Sequence, residues 1–379
     1  METEEKNLKF KLTSHSLGKV IISGEHSVVY GKPALAFGIN KKIEMKLNCY
    51  ISNSSIQDFS KINLIDINKT IIITKNDVIE SLNNDKVDID NDDKYKIHMI
   101  SIIINIIKKI EKVISKEKII NYIYNNYFII SITSEIPIGF GLGSSAAYNS
   151  CIVNGICNLI NNLLKKYFFE KKDIILLANE GEKIFHNGTP SGIDVTCSLN
   201  GGLIIFNNIN DNKNIKINEK NFFLEKIKYL LINTKIKRNA GEFIKKVSEF
   251  KKNNKKLFEQ YINDIGKITE DIIFLINKDI SDDNDINKFF ELIKLNQKML
   301  KNICVSNDEI DRIVNILENN GFVGKISGAG GGGFIIAFSQ NDKYKDLNKL
   351  LDINNIEYLE VNMNKEAAKV DIEFIKDIE

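Results

Sequence analysis

The alternation of apolar and polar positions divides the chain into strand-like and helical stretches. Lys19-Val20-Ile21-Ile22 reads as a strand, and a second alternating stretch covers 40–51. Residues 82–97 (LNNDKVDIDNDDKYKI) break the pattern with charge and asparagine and read as a surface loop. Helical spacing with a lysine-rich polar face follows over 98–116. A strand is predicted through Tyr127 to Thr133, then a helix over 145–164 with Ala147, Cys151, Ile160 and Leu164 among its apolar positions. A further helix is expected to start near Asp173, as its N-cap, and to carry Glu182 toward its end. Helical patterns cover 239–262, 264–277, 286–303 and 308–320, and strands close the pattern at 333–338 and 357–363. The acidic stretch 279–287 reads as a solvated turn, and no internal repeat is evident.

Length and composition narrow the class. A chain of 379 residues has room for two or three domains and a sizeable core, and the expected division is 1–225 and 226–379. With 43% hydrophobic and 27% charged residues the chain reads as globular, not disordered. Fifty-two basic against fifty acidic residues leave +2, so no polyelectrolyte character points to nucleic acid. The five cysteines (49, 151, 157, 197 and 304) are scattered and form no CxxC pair, which argues for a reducing compartment and against a zinc or disulfide framework. The N-terminal METEEKNLKF lacks the apolar core of a signal peptide. The most apolar stretch, Met99 to Ile107, is interrupted by Ser101 and Asn105 and falls well short of the ~20 residues that span a bilayer. A soluble cytoplasmic protein without membrane or nucleic-acid partners is expected.

The chain is saturated with Ile, Asn and Lys, and against that background the exceptions are informative. It has three prolines (Pro33, Pro137, Pro190) and two arginines (Arg238, Arg312). Of 22 glycines, twenty fall in the windows 16–40, 137–155, 181–202 and 321–333, together with all three prolines. Such residues persist where backbone geometry requires them.

The second window, Pro-Ile-Gly-Phe-Gly-Leu-Gly-Ser-Ser-Ala-Ala over 137–147, lies between a predicted strand and a predicted helix. Alternate glycines let backbone N–H groups turn inward, the helix N-terminus adds positive potential, and two serines offer hydroxyls to phosphate or Mg²⁺. A dinucleotide-binding turn is the competing reading, but its glycine spacing differs. The Walker ending and the protein-kinase signatures are absent. In the fourth window, Ser327-Gly328-Ala329-Gly330-Gly331-Gly332-Gly333 implies a close neighbour to the backbone, expected to be a phosphate or substrate. The third holds Glu180-Gly181-Glu182, His186 and Thr189-Pro190-Ser191-Gly192-Ile193-Asp194, in which an aspartate within a turn is as much a turn former as a chemical group. Lys19, after Gly18, is placed to neutralise developing charge.

Together these windows resemble the mevalonate kinases, within the superfamily of galacto-, homoserine, mevalonate and phosphomevalonate kinases, from Gly18 to Gly333. The glycine-serine loop belongs to the superfamily as a whole. Gly-Lys-Val, Gly-Glu-His-Ser-Val-Val-Tyr-Gly and His-x-Gly-x-Pro-Ser-Gly-Ile-Asp are more specific to the mevalonate kinases. The resemblance implies an α+β fold, with an N-terminal phosphate-loop domain, a C-terminal ferredoxin-like domain and the site in the cleft. It implies transfer of phosphate from ATP to the 5-hydroxyl of mevalonate, with a sugar or homoserine hydroxyl as the alternative acceptor and a non-catalytic metabolite sensor as the alternative class. Asp194 would be the catalytic base, and Lys19 would stabilise the alkoxide. Ser145 and Glu182 would hold Mg²⁺ with the ATP phosphates. Ser134 and the backbone of Gly139, Gly141, Leu142, Gly143, Ser144 and Ser145 would bind ATP, with Asn53 a looser nucleotide contact. His26, Gly330 and Arg238 would face the substrate, the arginine as a planar partner for its carboxylate. Family members are often homodimers. Departures from the family pattern are Leu17 for Pro, Phe140 for Ala in the phosphate loop (expected to add bulk beside the nucleotide), one extra residue at 186–190, and Ala240 for Thr.

Overall fold

The computed structural model describes residues 7–52, 56–84, 93–185, 190–207, 215–216, 226–237, 240–278 and 282–375. Strand β1 (Leu8–Ser23) alternates buried and exposed positions as far as His15, then is buried on both faces from Ser16 to Ser23. This change of pattern marks where β1 passes beneath helices on both sides. It pairs antiparallel with β2 (Ala34–Ile51), which is followed by β3 (Asp58–Leu64), a 3-10 turn at Ile65–Ile67 and β4 (Lys69–Thr74). Helices α1 (Lys75–Asn84), α2 (Lys94–Ile110) and α3 (Lys116–Asn125) precede β5 (Asn126–Ser134). Next come α4 (Ser144–Leu163), α5 (Lys171–Phe185), α6 (Ile193–Asn200), β6 (Leu203–Phe206) and β7 (Ile215–Lys216).

The second half runs β8 (Ile227–Asn233), α7 (Ala240–Asn253), α8 (Lys255–Ile276), α9 (Asp283–Asn302), α10 (Asp308–Asn319), β9 (Val323–Ile326), β10 (Phe334–Gln340), α11 (Tyr344–Ile353), β11 (Tyr358–Glu360) and β12 (Lys369–Phe374). Its antiparallel sheet has the order β11-β8-β10-β9, a strand–helices–strand–strand–helix–strand unit of the split βαβ, ferredoxin-like type. The first sheet has the order β12-β1-β2-β5-β3-β4, with β6 paired to β2 and β7 to β6. The last strand therefore crosses the expected boundary after residue 225 and returns to β1.

Several sequence expectations shift for physical reasons. The helix expected from 98 begins at Lys94, because Asp93 caps it by accepting from the backbone N–H groups of Tyr95 and Lys96. The expected loop 82–97 is therefore the end of α1 and the start of α2, with 85–92 outside the described residues. Asp173 is not an N-cap: it lies inside the first turn of α5, where its carboxylate accepts from Glu170 N–H and pairs with Lys109. The acidic residues after 281 start a helix, since Asp282 and Asp285 form a reciprocal capping box. The break expected near 263 falls at Asn254.

Helix α4 lies directly on β1 and β2. Gly155 allows this approach, since a Cβ there would stand 2.6 Å from Met45 Cε and 3.0 Å from Ser14 Cβ. The hydroxyls of Ser14 and Ser16 donate to the carbonyls of Cys151 and Ala147, so the buried end of β1 is tied to α4. On the other side β1 meets the second half. Ile21 N–H donates to Ser327 Oγ (2.9 Å), Ser23 Oγ shares a hydrogen bond with Thr269 (2.7 Å), and Asn296 Nδ2 donates to Ser23 Oγ (2.9 Å).

Between these contacts lies an ion pair with no solvent exposure, Glu25 with Lys325, whose ammonium also donates to the Ile326 carbonyl. Burial pushes the Glu25 carboxyl up and the Lys325 ammonium down, and their mutual attraction opposes both shifts. Removing one partner strands a buried charge. Glu25→Gln is therefore expected to lower stability by about 3–5 kcal/mol, with the double variant Glu25→Gln/Lys325→Met recovering a large part of it in urea unfolding. A loss below about 1 kcal/mol in the single variant would show that the seam does not depend on the pair.

Candidate active site

The glycine-serine loop joins β5 to α4 as the sequence spacing predicts. Gly139, Gly141 and Gly143 all have positive φ (85°, 86° and 75°), which turns successive peptide units toward one side. At Gly143 the need for glycine is also steric, because a Cβ would lie 2.7 Å from Lys19 Cγ. Lys19 itself is fixed by its backbone, whose N–H donates to the Leu142 carbonyl (2.9 Å). The β1–β2 register shifts between Leu17 and Lys19, a local irregularity that re-aims this side chain. The buried Lys19 ammonium lies 3.1 Å from Asp194 Oδ1. That oxygen is itself buried and accepts no hydrogen bond among the described residues, so its contact with Lys19 is an ion pair. Asp194 occupies the first turn of α6, after Gly192 (φ 90°), and its side chain is 37% exposed.

A cavity of about 320 Å³ opens over the loop. Gly139, Gly141, Gly143, Ser144, Ser145 and Asp194 line its polar side, and Ser134 lies at its edge. Its apolar lining includes Ile43, Leu64, Ile67, Tyr95 and Ile132. A glycine-rich anion cradle with an apolar slot suits a molecule with a phosphate end and a flat, apolar end. Asp66, unremarkable in the sequence, lines the cavity and accepts from the Ser134 N–H (2.6 Å), while the Ser134 hydroxyl donates to the Ile136 carbonyl.

Beneath the loop, Ser145 Oγ donates to Glu182 Oε2 (3.2 Å), and the buried Glu182 also accepts from Asn149 Nδ2 at Oε1 (2.6 Å). Behind Asn149 stands His98, whose Nε2 is 2.5 Å from Asn149 Oδ1. Sequence patterning gave no sign of Asn149 or His98, which occupy unexceptional positions in two helices.

The expected substrate residues divide. His26, in a left-handed backbone conformation (φ 59°), makes a 3.1 Å hydrogen bond between Nε2 and the Ala329 carbonyl, so it joins the first and fourth glycine windows. Protein atoms crowd the Gly330–Gly333 part of the run. A Cβ at Gly330 would meet the Val305 carbonyl at 2.3 Å, and one at Gly333 would meet the Phe140 carbonyl at 2.4 Å. Phe140 packs its ring on Phe334 (5.7 Å) and accepts from the Phe334 N–H (3.0 Å), so its bulk joins the two halves and does not line the nucleotide-sized cavity. Leu142 is buried, and it serves the site through its carbonyl. Asn53, Arg238 and His186–Thr189 lie outside the described residues. Lys237 does reach the loop, with its Cε 3.6 Å from the place of a Cβ on Gly139. Among the described residues no helix is long and apolar enough to cross a membrane.

Comparison with known proteins gives matches over both halves. Residues 102–202 match the GHMP kinases N terminal domain and residues 276–353 the GHMP kinases C terminal domain. The chain is 37% identical over 216 residues to a mevalonate kinase of Archaeoglobus fulgidus, covering 57% of this chain and 67% of that one. With a mevalonate kinase of Dictyostelium discoideum it shares 26% identity, covering 94% and 95% of the two chains. The crystal structure of the Methanococcus jannaschii mevalonate kinase superposes with a TM-score of 0.67 at 25% identity, over 93% of this chain and 98% of that one. On the two domain matches, these similarities and the two-domain α+β architecture, the chain belongs to the GHMP kinase family.

Proposed function

We propose that the chain is a mevalonate kinase, transferring the γ-phosphoryl group of ATP to the 5-hydroxyl of (R)-mevalonate. The observation that carries the chemistry is the Lys19–Asp194 pair at the edge of the glycine-loop cavity. The acceptor is supported by the mevalonate kinases among its relatives.

ATP lies with its base in the apolar slot and its phosphates over Gly139 to Ser145. The backbone N–H groups of the loop and the N-terminus of α4 stabilise negative charge there without reorganising. Asp194 takes the proton of the acceptor hydroxyl on the exposed part of its carboxylate, away from the buried Oδ1 that faces Lys19. The Lys19 ammonium, held in a water-poor position, favours the alkoxide that forms. The metal is Mg²⁺, and the donor chemistry fits it. One carboxylate and one hydroxyl, both oxygen donors, meet at a helix N-terminus, and Mg²⁺ takes one or two carboxylates alongside substrate phosphates. Ser145 and Glu182 would hold it. When bound, the ion neutralises charge on the transferred group. The same reading takes a cytoplasmic setting from the five unpaired thiols and a homodimer from the family resemblance.

The assay that tests this is coupled ADP release with mevalonate, galactose, homoserine and phosphomevalonate as acceptors. Saturable turnover with mevalonate alone is expected, and turnover only with another acceptor would reassign the substrate. Asp194→Asn is expected to lower kcat by about 10²–10⁴-fold with ADP affinity nearly unchanged. Near-wild-type turnover in that variant would remove Asp194 as the base. Gly143→Ala should displace Lys19 and weaken both nucleotide binding and turnover by at least about tenfold. Gly31→Ala has the same sign of φ (76°) but open space around the new methyl, so it should cost only ~1–2 kcal/mol of stability and leave kinetics intact. Equal kinetic losses in the two would locate the effect in backbone strain, not in Lys19.

A further inference from the structure

Glu182 is almost completely buried, and a carboxylate is tolerated there only if its oxygens are hydrogen-bonded. Ser145 supplies Oε2 with a donor, and Asn149 supplies Oε1. Asn149 sits one turn beyond Ser145 on α4, and its Nδ2 also donates to the Ser145 carbonyl (3.0 Å). An asparagine amide is nearly symmetric in shape, and its flipped orientation would turn Oδ1 toward the Glu182 carboxylate. His98, from α2, removes that ambiguity. With Nδ2 committed to the Glu182 carboxylate, Asn149 Oδ1 faces His98 Nε2 at 2.5 Å, and in the tautomer protonated at Nε2 the ring donates to it and holds the amide in that orientation. The imidazole is fully buried against the rings of Phe185 (4.3 Å between centroids) and Tyr148 (5.5 Å), both of which also line the nucleotide-sized cavity. Burial brings its pKa down to about 4, so it is neutral at physiological pH and keeps one ring N–H to donate. The backbone is shaped for the same amide. A Cβ on Gly181, immediately before Glu182, would stand 2.2 Å from Asn149 Oδ1 and 3.2 Å from His98 Nε2.

We propose that His98 and Asn149 are positioning residues that lock the Glu182 carboxylate in one orientation, with Oε2 presented beside Ser145 Oγ, so that the oxygen pair is preformed for the metal ion of the nucleotide complex. The inference rests on the reading of Ser145 and Glu182 as the metal's protein donors. It assigns them a support relay running from α2 through α4 to α5.

Outer partners of metal ligands typically contribute about 10–100-fold in metal affinity. The test is ADP binding by titration calorimetry, with excess Mg²⁺ and with EDTA, alongside the Mg²⁺ dependence of turnover. His98→Leu, which keeps apolar volume and loses the donor, should weaken Mg-ADP binding about tenfold while metal-free ADP binding stays within about twofold. His98→Gln, which restores an N–H near the Nε2 position, should recover most of the loss. Asn149→Leu should behave like His98→Leu, and the double variant should lose little more, because both act through one carboxylate. If His98→Leu does not fold by circular dichroism, Asn149→Ser carries the same comparison. Glu182→Gln is the reference. Wild-type Mg-ADP affinity in Glu182→Gln would overturn the metal reading itself. A clear loss in Glu182→Gln, with wild-type Mg-ADP affinity in folded His98→Leu and Asn149→Leu, would overturn the relay alone.

Discussion

The buried Glu25–Lys325 pair is the constraint on which the arrangement of the site depends. Two charges without solvent can persist only in contact, so the segment after β1 and strand β9 are held at one separation. That separation has consequences in both directions along the chain. Six residues before Glu25, Lys19 is set against the phosphate loop through the Leu142 carbonyl. A few residues after Lys325, the glycine run meets the same loop at the Phe140 carbonyl and meets His26 at the Ala329 carbonyl. A shift of either half along the seam would strand a charge, so the loop, Lys19 and the glycine run share one position relative to one another.

The site then handles its remaining charges by two different means. Lys19 is buried and its partner Asp194 is partly exposed, so their attraction is strengthened on the lysine side while the carboxylate stays within reach of a ligand. Glu182 is buried more completely and is surrounded by donors from Ser145 and Asn149. A carboxylate meant to take a proton needs lone pairs in reserve, whereas one meant to hold a cation in place needs a fixed direction. The two environments differ in that sense, although both residues are acidic positions in the same glycine window.

Much of this was legible in the sequence because the compositional background is so narrow. Glycine and proline stand out among Ile, Asn and Lys, and the window at 137–147 led directly to the loop, whereas Asp194 in the 190–194 turn was singled out only through the family resemblance. Short-range signals of this kind survive because the backbone conformation they encode is local. His98, Asn149, Asp66 and Lys325 were invisible for the opposite reason. Each acts through a partner 51 to 300 residues away or through its burial, and a single histidine or asparagine on an amphipathic helix carries no mark of what it will face. The helix starts at Lys94 and Asp283 were missed because charged, Asn-rich sequence looks like loop until an Asp is seen capping the first turn.

The glycine run 328–333 bears out the premise that such density requires close neighbours. Its density does require close neighbours, and the structure supplies them, but they are Val305, Phe243, Ile236 and Phe140. Three of the five glycines of the chain's first and second windows that have described positive φ, at 139, 141 and 143, instead line the cavity. Sequence records that a backbone must be approached closely; it does not record by what. The distinction is made by topology. The 328–333 segment joins two paired strands, β9 and β10, inside the second sheet and is closed over by the first half, whereas 139–143 follows the end of β5 and opens onto a helix N-terminus. The loop has one side open to the cavity, whereas the run is enclosed by Val305, Phe243 and Ile236 of its own half and by Phe140 of the other, and so ties the two halves together.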